Sequence, residues 1–166
     1  MALTTRPFAA LVLLASIAVL GTALLSQYWG GLLPCELCLL ERWPWRVAIA
    51  AAALVWLAGD RVPLTAAALV LALVFFVSAG LGFYHVGVEQ HWFQGPTACT
   101  ASPGITATTV EELRRQLEGV KPVMCDQVQW ALFGISLAGW NMIASLIMAA
   151  FCAAAAAWLA PKRVPA

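Results

Sequence analysis

Four apolar stretches constrain the fold of this chain more than any other feature of its sequence. They run roughly over residues 8–26, 43–58, 64–83 and 130–159. The hydrocarbon core of a bilayer is about 30 Å thick, and about 20 apolar helical residues cross it. Because backbone groups inside lipid must be hydrogen-bonded internally, and no alternation of period two indicates a barrel, each stretch is predicted to be a helix. We therefore expect an all-α membrane protein, a four-transmembrane-helix bundle in which residues 1–166 form a single integral membrane domain.

The composition excludes an ordinary soluble domain. Hydrophobic residues make up 63% of the chain and charged residues only 10%, whereas soluble domains carry about 25% charged residues. The net charge of +1, with no run of Lys or Arg, gives no indication of nucleic-acid binding. The first apolar stretch follows Arg6 as in a signal peptide, but it exceeds the roughly 7–15 residues of a cleavable apolar region. It is therefore predicted to be an uncleaved membrane anchor.

The placement of basic residues predicts the orientation of the helices. Four of them lie in very short segments beside the apolar stretches: Arg6, Arg61, Lys162 and Arg163. The positive-inside rule then predicts that both termini and the turn over residues 59–63 face the cytoplasm. The loops over about 27–42 and 84–129 would face outward, which is the periplasm in a Gram-negative bacterium.

The cysteines follow this division of the chain. Four of the five fall in the two predicted outward loops: Cys35, Cys38, Cys99 and Cys125. Cysteines in an oxidising compartment are expected to pair, and four cysteines allow three pairings. Their spacing favours Cys35 with Cys38 and Cys99 with Cys125. Cys152 lies inside the last apolar stretch and is interpreted as a small packing residue.

The first outward loop ends in a polar, sulfur-rich motif, Cys35-x-x-Cys38, with Arg42 four residues later. Such a pair can close a short exchangeable disulfide or share a metal ion, and a nearby cation favours the thiolate of Cys38. We expect the second helix to begin near Pro44, since proline is tolerated in a first turn and disfavours helix before it. If the helix began at Pro34 instead, both sulfurs and the guanidinium would share one face. A static disulfide bracing the loop is the structural alternative.

Polar residues near the outer ends of the helices are further candidates. His85 could carry a proton or ligate haem or a metal ion, but a single interfacial histidine that is hydrogen-bonded to a neighbour is the commoner case. His91 lies six residues later and does not share a helical face with His85, so paired haem ligation is not expected. Asn141 lies in the last apolar stretch, which implies either a partner on another helix or a polar cavity there. In the second outward loop, Thr108-Thr109 precedes apolar residues at helical spacing, which predicts a short interfacial helix.

Several motifs occur together in one order along the chain: Cys35-Glu36-Leu37-Cys38 with Glu41-Arg42, Tyr84-His85-Val86-Gly87-Val88-Glu89, Gly95-Pro96 with Cys99, and Cys125-Asp126 leading to Trp140-Asn141. In this combination the chain closely resembles the disulfide bond formation protein B (DsbB) family, the quinone-linked thiol oxidases of bacterial inner membranes. The resemblance covers nearly the whole chain. A lone C-x-x-C motif is weak support, whereas both cysteine pairs in this topological order are specific.

The resemblance implies a protein-disulfide oxidoreductase that is a multi-pass protein of the bacterial inner membrane. Such a protein reoxidises a periplasmic thioredoxin-fold dithiol oxidase (DsbA-like) and passes the electrons to ubiquinone or menaquinone. Membrane lipid and quinone would be its other partners, and the resemblance implies neither a nucleic-acid partner nor a metal site.

The resemblance also implies roles for individual residues. The partner would attack Cys99 of a Cys99–Cys125 disulfide, and Cys125 would then attack a Cys35–Cys38 disulfide at Cys35. Cys38 would be left as the thiolate that faces the quinone. Arg42 matches the family arginine near the quinone and would polarise its carbonyl oxygen, so Cys38 and Arg42 are the implied quinone-binding residues.

Two other classes of protein fit parts of the pattern. A structural tetraspan protein, loosely like claudins, would use its outward cysteines only to brace loops, and it predicts inert disulfides and no quinone. A metal site built from four thiols is the third possibility. It is disfavoured because the second cysteine pair lacks short spacing and because an oxidising compartment disfavours free thiolates.

Overall fold

The computed structural model describes residues 4–96, 109–112, 114 and 123–159. Four long helices account for most of them: α1 (Thr5–Tyr28), α2 (Glu36–Ala58), α3 (Leu64–Glu89) and α4 (Leu137–Leu159). A 3-10 turn over Gly59–Arg61 joins α2 to α3. A hairpin of two short strands, β1 (Ala131–Leu132) and β2 (Ile135–Ser136), precedes α4. The regular structure of the described residues is therefore helical apart from this hairpin, and turns and irregular segments join the elements.

Three of these helices are long and apolar enough to cross a membrane: Thr5–Tyr28, Leu64–Glu89 and Leu137–Trp158. α2 has a comparable length, but its first half carries Glu36, Glu41, Arg42 and Arg46. The described residues thus confirm a helical membrane protein with three candidate spans. A crossing by α2, and with it the bundle of four transmembrane helices, stays a prediction.

The prediction that the second helix begins near Pro44 is wrong, because α2 begins at Glu36. Cys35 caps this helix, and its Sγ accepts a hydrogen bond from the backbone N–H of Cys38 at 3.3 Å. The sulfur cap satisfies a donor of the first turn, so the helix is already established when the chain reaches Pro44. Proline interrupts only one backbone hydrogen bond there, and helices packed among other membrane helices tolerate this loss. As a consequence, Cys35, Cys38 and Arg42 lie on the first two turns of one helix.

The fourth helix begins at Leu137 and not near Trp130, as the apolar pattern predicted. The intervening residues form the antiparallel β1–β2 hairpin. Its two turn residues, Phe133 and Gly134, have positive φ angles of 53° and 77°. A two-residue turn with both φ angles positive matches the twist of the paired strands. Hydropathy does not distinguish an apolar run that begins with a hairpin from a longer helix, so the pattern predicted the start of α4 about seven residues too early.

The helices pack through small side chains and a few large ones. The main buried cluster draws on all four: Phe8, Val12, Trp45, Ala48, Ala52, Ala68, Leu71, Phe75, Cys152 and Ala156. Cys152 is fully buried among them, in agreement with its interpretation as a packing residue. Where α3 approaches α4, a Cβ on Gly82 would lie 3.0 Å from the backbone of Met142. Glycine thus permits the close contact that brings the outer ends of α3 and α4 together.

The predicted interfacial helix lies mostly outside the described residues. Of those described, residues 110–112 and 114 are helical. The Oγ1 of Thr109 accepts a hydrogen bond from the backbone N–H of Glu112 at 3.3 Å, the contact expected of an N-cap residue. A position on the bilayer surface stays a prediction.

Candidate functional site

The two thiols of the C-x-x-C motif meet at the beginning of α2. Their Sγ atoms lie 2.9 Å apart, and both cysteines are free thiols in this structure. Cys35 is buried, whereas Cys38 is partly exposed. A disulfide has an S–S distance of about 2.05 Å, so oxidation brings the sulfurs closer by roughly 0.9 Å. The helix start therefore holds the pair close to the geometry of a disulfide.

His85 of α3 joins this sulfur pair to Glu41 of α2. Its Nε2 lies 3.5 Å from the Sγ of Cys35, and its Nδ1 lies 2.8 Å from the Oε1 of Glu41. The two side chains are only 3% and 10% exposed. Because an ionised carboxylate only accepts hydrogen bonds, the Nδ1–H donates to Glu41 and directs Nε2 at the sulfur. In the protonated ring the Nε2–H donates to a Cys35 thiolate, and in the neutral ring the Nε2 lone pair faces the sulfur. The result is a buried line of thiol, imidazole and carboxylate.

The second oxygen of Glu41 is bonded to α4. The Nδ2 of Asn141 donates to Glu41 Oε2 at 3.0 Å, and the Oδ1 of Asn141 accepts from the Nε1 of Trp45 at 2.7 Å. Trp45 is 2% exposed. The prediction that Asn141 has a polar partner within the bundle is confirmed. Together these contacts fix the carboxylate that orients His85.

The Arg42 guanidinium is held by α1. Its Nη1 donates to the Oε1 of Gln27 at 2.6 Å, and its Nη2 donates to the backbone carbonyl of Ala23 at 3.4 Å. Arg42 is 8% exposed, so almost the whole side chain is enclosed. A buried cation needs such acceptors, and α1 supplies them. The first helix is therefore part of the site.

A cavity of about 320 Å³ opens beside the sulfur pair. Its polar lining includes Cys38, Glu41, Arg42, Trp45 and Asn141, and much of its remaining wall is apolar: Val19, Leu20, Leu33, Leu137 and Ala144. This volume is at the lower end of the range of about 300–1,000 Å³ for small-molecule sites. A flat apolar molecule with one or two polar groups, bound in this cavity, would contact both the Sγ of Cys38 and the guanidinium of Arg42.

The two thiols of the reduced pair differ in their pKa values, which are lowered for Cys35 and raised for Cys38. The pKa of the Cys35 thiol is lowered to about 4, chiefly by its hydrogen bond with the side chain of Cys38. Burial raises this pKa, whereas the hydrogen bond with His85 lowers it further. The sequence predicted that Arg42 favours the thiolate of Cys38. In the structure, the Arg42 guanidinium is bonded to Gln27 and Ala23 of α1, and the thiol whose pKa is lowered is that of Cys35.

The segment that precedes the β1–β2 hairpin also reaches the start of α2. Cys125 is disulfide-bonded and 1% exposed. It belongs to one buried cluster with Cys35, Leu37 and Val88, against which Cys38 packs. Cys99 lies outside the described residues. Of the four cysteines predicted to be catalytic, the structure thus brings Cys35, Cys38 and Cys125 to one place.

Three polar residues of the site were not assigned to it from the sequence: Glu41, His85 and Gln27. His85 was given only alternative roles, and Glu41 and Gln27 were given none. The signal for Glu41 is its position beside a long apolar stretch, where a carboxylate requires a partner. The partner itself lies 44 residues away in the sequence, a separation at which spacing rules give no information.

Comparison with known proteins gives a match over most of the chain. The family model described as disulfide bond formation protein DsbB matches residues 5–155. The disulfide bond formation protein B of Hahella chejuensis is 31% identical over 151 residues, which cover 86% of this chain and 87% of that protein.

Two further relatives have similar coverage. Disulfide bond formation protein B 2 of Pseudomonas savastanoi pv. phaseolicola is 30% identical, over 84% of this chain and 81% of that protein. Disulfide bond formation protein B of Herminiimonas arsenicoxydans is 27% identical, over 89% and 92%. No solved structure matches significantly. By the extent of the family match, this chain belongs to the DsbB family of disulfide bond formation proteins.

Proposed function

We propose that this protein is a quinone-dependent protein-thiol oxidoreductase that reoxidises a periplasmic thioredoxin-fold (DsbA-like) dithiol oxidase. Membership of the DsbB family supports disulfide formation as the reaction class. The observation that carries the proposal is the position of the sulfur pair. Cys38 lines the cavity together with Arg42, while Cys35 lies in the buried cluster that contains Cys125. Each sulfur is thus next to one of the two groups with which the pair would exchange electrons.

The first exchange takes place in the second outward loop. A thiolate of the reduced partner attacks the Sγ of Cys99, the Cys99–Cys125 bond breaks, and Cys125 leaves as a thiolate. The second thiolate of the partner then displaces Cys99 from the mixed disulfide. The partner leaves with its own disulfide, and Cys99 and Cys125 carry the two electrons as a dithiol.

The second exchange moves these electrons to α2. The Cys125 thiolate attacks the Sγ of Cys35, and Cys38 leaves as a thiolate. Cys99 then displaces Cys35 from Cys125 and restores the Cys99–Cys125 disulfide. The membership of Cys35 and Cys125 in one buried cluster supports attack at Cys35. His85, oriented by Glu41, stabilises the negative charge on Cys35 as it is released.

The cavity residues fit the ring of ubiquinone or menaquinone. The walls are largely apolar, Cys38 is the accessible sulfur, and Arg42 offers N–H donors to a carbonyl oxygen. A quinone bound there would supply the oxidising power by accepting two electrons and two protons as the Cys35–Cys38 disulfide reforms. Gln27 holds the guanidinium in place from α1. Arg42 and Cys38 are therefore the proposed quinone-binding residues.

The proposed reaction requires a defined place in the membrane. We place the protein in the bacterial inner membrane with four crossings, both termini in the cytoplasm and both cysteine loops in the periplasm. The short basic segments beside the apolar stretches support this orientation. The composition of the three most apolar helices supports the membrane location.

Quinone reduction by purified protein tests the proposal. The protein in detergent is mixed anaerobically with a reduced thioredoxin-fold oxidase and ubiquinone or menaquinone, and quinone absorbance is followed. The unaltered protein and Cys152→Ser, whose thiol is buried in the distant core, are expected to consume quinone. Cys38→Ser is expected to consume none. If neither quinone is consumed by folded, unaltered protein with a competent partner, the proposal fails and the braced structural protein becomes the better reading.

The sulfur that is attacked can be identified separately. In Cys38→Ser, the Cys35 thiolate can attack Cys125, which forms a Cys35–Cys125 disulfide and releases Cys99 as a thiolate. Peptide mapping under non-reducing conditions is expected to find this bond. In Cys35→Ser the corresponding Cys38–Cys125 bond is expected to be absent. Equal amounts of both bonds would contradict the assigned direction of exchange.

A further inference from the structure

We propose that the reduced sulfur pair and His85 form a binding site for one thiophilic divalent cation of the zinc group, Zn²⁺ or Cd²⁺. The Sγ atoms of Cys35 and Cys38 and the ring nitrogen of His85 all lie within 4.8 Å of one another. Two thiolates and an imidazole are ligands that zinc prefers in proteins. This site uses neither Cys99 nor Cys125, so it differs from the four-thiol site considered from the sequence.

The distances suit a tetrahedral ion. With Zn–S bonds of about 2.3 Å and a Zn–N bond of about 2.0–2.1 Å, tetrahedral ligands lie roughly 3.8 Å apart for two sulfurs and roughly 3.5 Å apart for sulfur and nitrogen. The Nε2 of His85 lies 3.5 Å from the Sγ of Cys35. The two sulfurs, now 2.9 Å apart, have to separate by roughly 0.9 Å to reach the ideal tetrahedral spacing. Cys38 is partly exposed to the cavity, so its side chain has room to move.

The surroundings of His85 are those of a metal ligand. Glu41 Oε1 accepts from the Nδ1–H at 2.8 Å, which directs the Nε2 lone pair toward the sulfurs. A carboxylate in this position orients a zinc-bound histidine and raises its basicity. Asn141 in turn bonds the other oxygen of Glu41 at 3.0 Å. The supporting bonds that a metal site needs therefore exist before any ion binds.

Charge also favours a divalent ion here. Two thiolates, a neutral imidazole and a divalent cation have no net charge, so the complex avoids the penalty of a buried, unpaired charge. Cys38 lines the cavity, so the fourth coordination position can be filled by water from that side. The site is thus complete with three ligands from the protein.

The expected consequence is selective inhibition of the reduced form. A disulfide between Cys35 and Cys38 ties up both sulfurs, so the cation binds only after the pair has been reduced. Once bound, it occupies the sulfur lone pairs that disulfide formation requires. Binding does not depend on the proposed quinone reaction, so the two proposals can fail separately.

Cadmium binding to a variant with a single cysteine pair tests the inference. Cys99, Cys125 and Cys152 are replaced by serine, the remaining pair is reduced, the reductant is removed, and Cd²⁺ is added anaerobically. Sulfur-to-cadmium charge-transfer absorbance is expected to saturate at one ion per chain. The same protein with its pair oxidised is expected to show no such absorbance. Equal binding by the oxidised and reduced forms would overturn the inference.

The role of His85 is tested by substitution. His85→Gln keeps both thiols, and we expect the affinity of this variant for Cd²⁺ to fall by at least about tenfold because one ligand is lost. Glu41→Gln should weaken Cd²⁺ binding by about 10–100-fold through loss of the supporting hydrogen bond to His85. Circular dichroism checks that each variant is folded. The spectrum of bound Co²⁺ provides a second measurement on the parent variant, because ligand-field bands distinguish nitrogen–sulfur from sulfur-only ligation. Unchanged affinity in His85→Gln, or a sulfur-only cobalt spectrum, would show a plain dithiol complex and refute the site.

The quinone assay separates the two proposals. Zn²⁺ added to the working enzyme is expected to stop quinone consumption, and a chelator is expected to restore it. If cadmium binds as expected but quinone is never consumed, only the proposed function fails. If quinone is consumed and the reduced pair binds no ion, only this inference fails.

Discussion

Replacement of Asn141 by leucine, which has a similar volume, tests the polar network that joins α2 to α4. It removes one hydrogen bond to Glu41 at 3.0 Å and one from Trp45 at 2.7 Å. A neutral hydrogen bond between membrane helices contributes about 0.6–1.7 kcal/mol, and a bond to a charged group about 1.5–3 kcal/mol. We therefore expect Asn141→Leu to lower the free energy of unfolding by about 2–5 kcal/mol.

A double-mutant cycle isolates the Trp45 part of this effect. Trp45→Phe removes the indole N–H but keeps an aromatic ring against Phe75, whose ring centroid lies 5.2 Å away. Unfolding is followed by circular dichroism as a denaturing detergent is titrated into mild-detergent micelles. Because both single changes remove the same hydrogen bond, the double variant should be more stable than the sum predicts by about 1 kcal/mol. Trp56→Phe, on the half-exposed side of α2, is the matched control and should be additive within about 0.5 kcal/mol.

Two results would refute the reasoning. One is a loss of less than about 1 kcal/mol for Asn141→Leu, which is below the smallest sum of the two bonds. The other is an additive cycle with Trp45→Phe, since additivity means that the two side chains do not interact. The first result would also remove the support assigned to Glu41, and through Glu41 to His85.

Two further substitutions test other contacts of the site. Gln27→Leu removes an acceptor of the Arg42 guanidinium, so the KM for quinone should rise about tenfold, which corresponds to about 1.4 kcal/mol. The control Gln90→Leu changes an exposed residue and should leave the KM for quinone unchanged. An unchanged KM in both variants would show that α1 does not position the guanidinium. Gly82→Ala introduces a Cβ 3.0 Å from the backbone of α4, while Gly80→Ala introduces one into open space. Thermal unfolding should show a loss of about 1–3 kcal/mol for the first and none for the second, and equal stabilities would contradict the close approach of α3 and α4.

The long helices were predictable because a bilayer imposes one requirement on every residue of a span. Apolar composition over residues 8–26 and 64–83 indicated α1 and α3, although both helices extend beyond those limits. Asn141 could be singled out for the same reason, since an amide within an apolar stretch needs a partner. The C-x-x-C motif was equally visible, because its chemistry depends on local spacing.

The beginnings of α2 and α4 depend on contacts that composition does not encode. Pro44 indicated a helix start, but the Sγ of Cys35 caps the helix earlier. The turn before α4 uses Phe133 at φ 53°, a conformation that the sequence pattern gives no reason to expect of phenylalanine. The pairing of Glu41 with His85 was also out of reach, since it depends on how α2 and α3 pack against each other.

The bonds from α1 to Arg42 limit how this protein can be re-engineered. The first helix has the composition of a generic hydrophobic leader, so a chimera carrying another membrane anchor in its place should still be inserted. Such a chimera would lack the Gln27 side chain that accepts from the guanidinium at 2.6 Å. It would be expected to carry an intact C-x-x-C pair and yet use quinone poorly, because residues of α1 also line the cavity beside that pair.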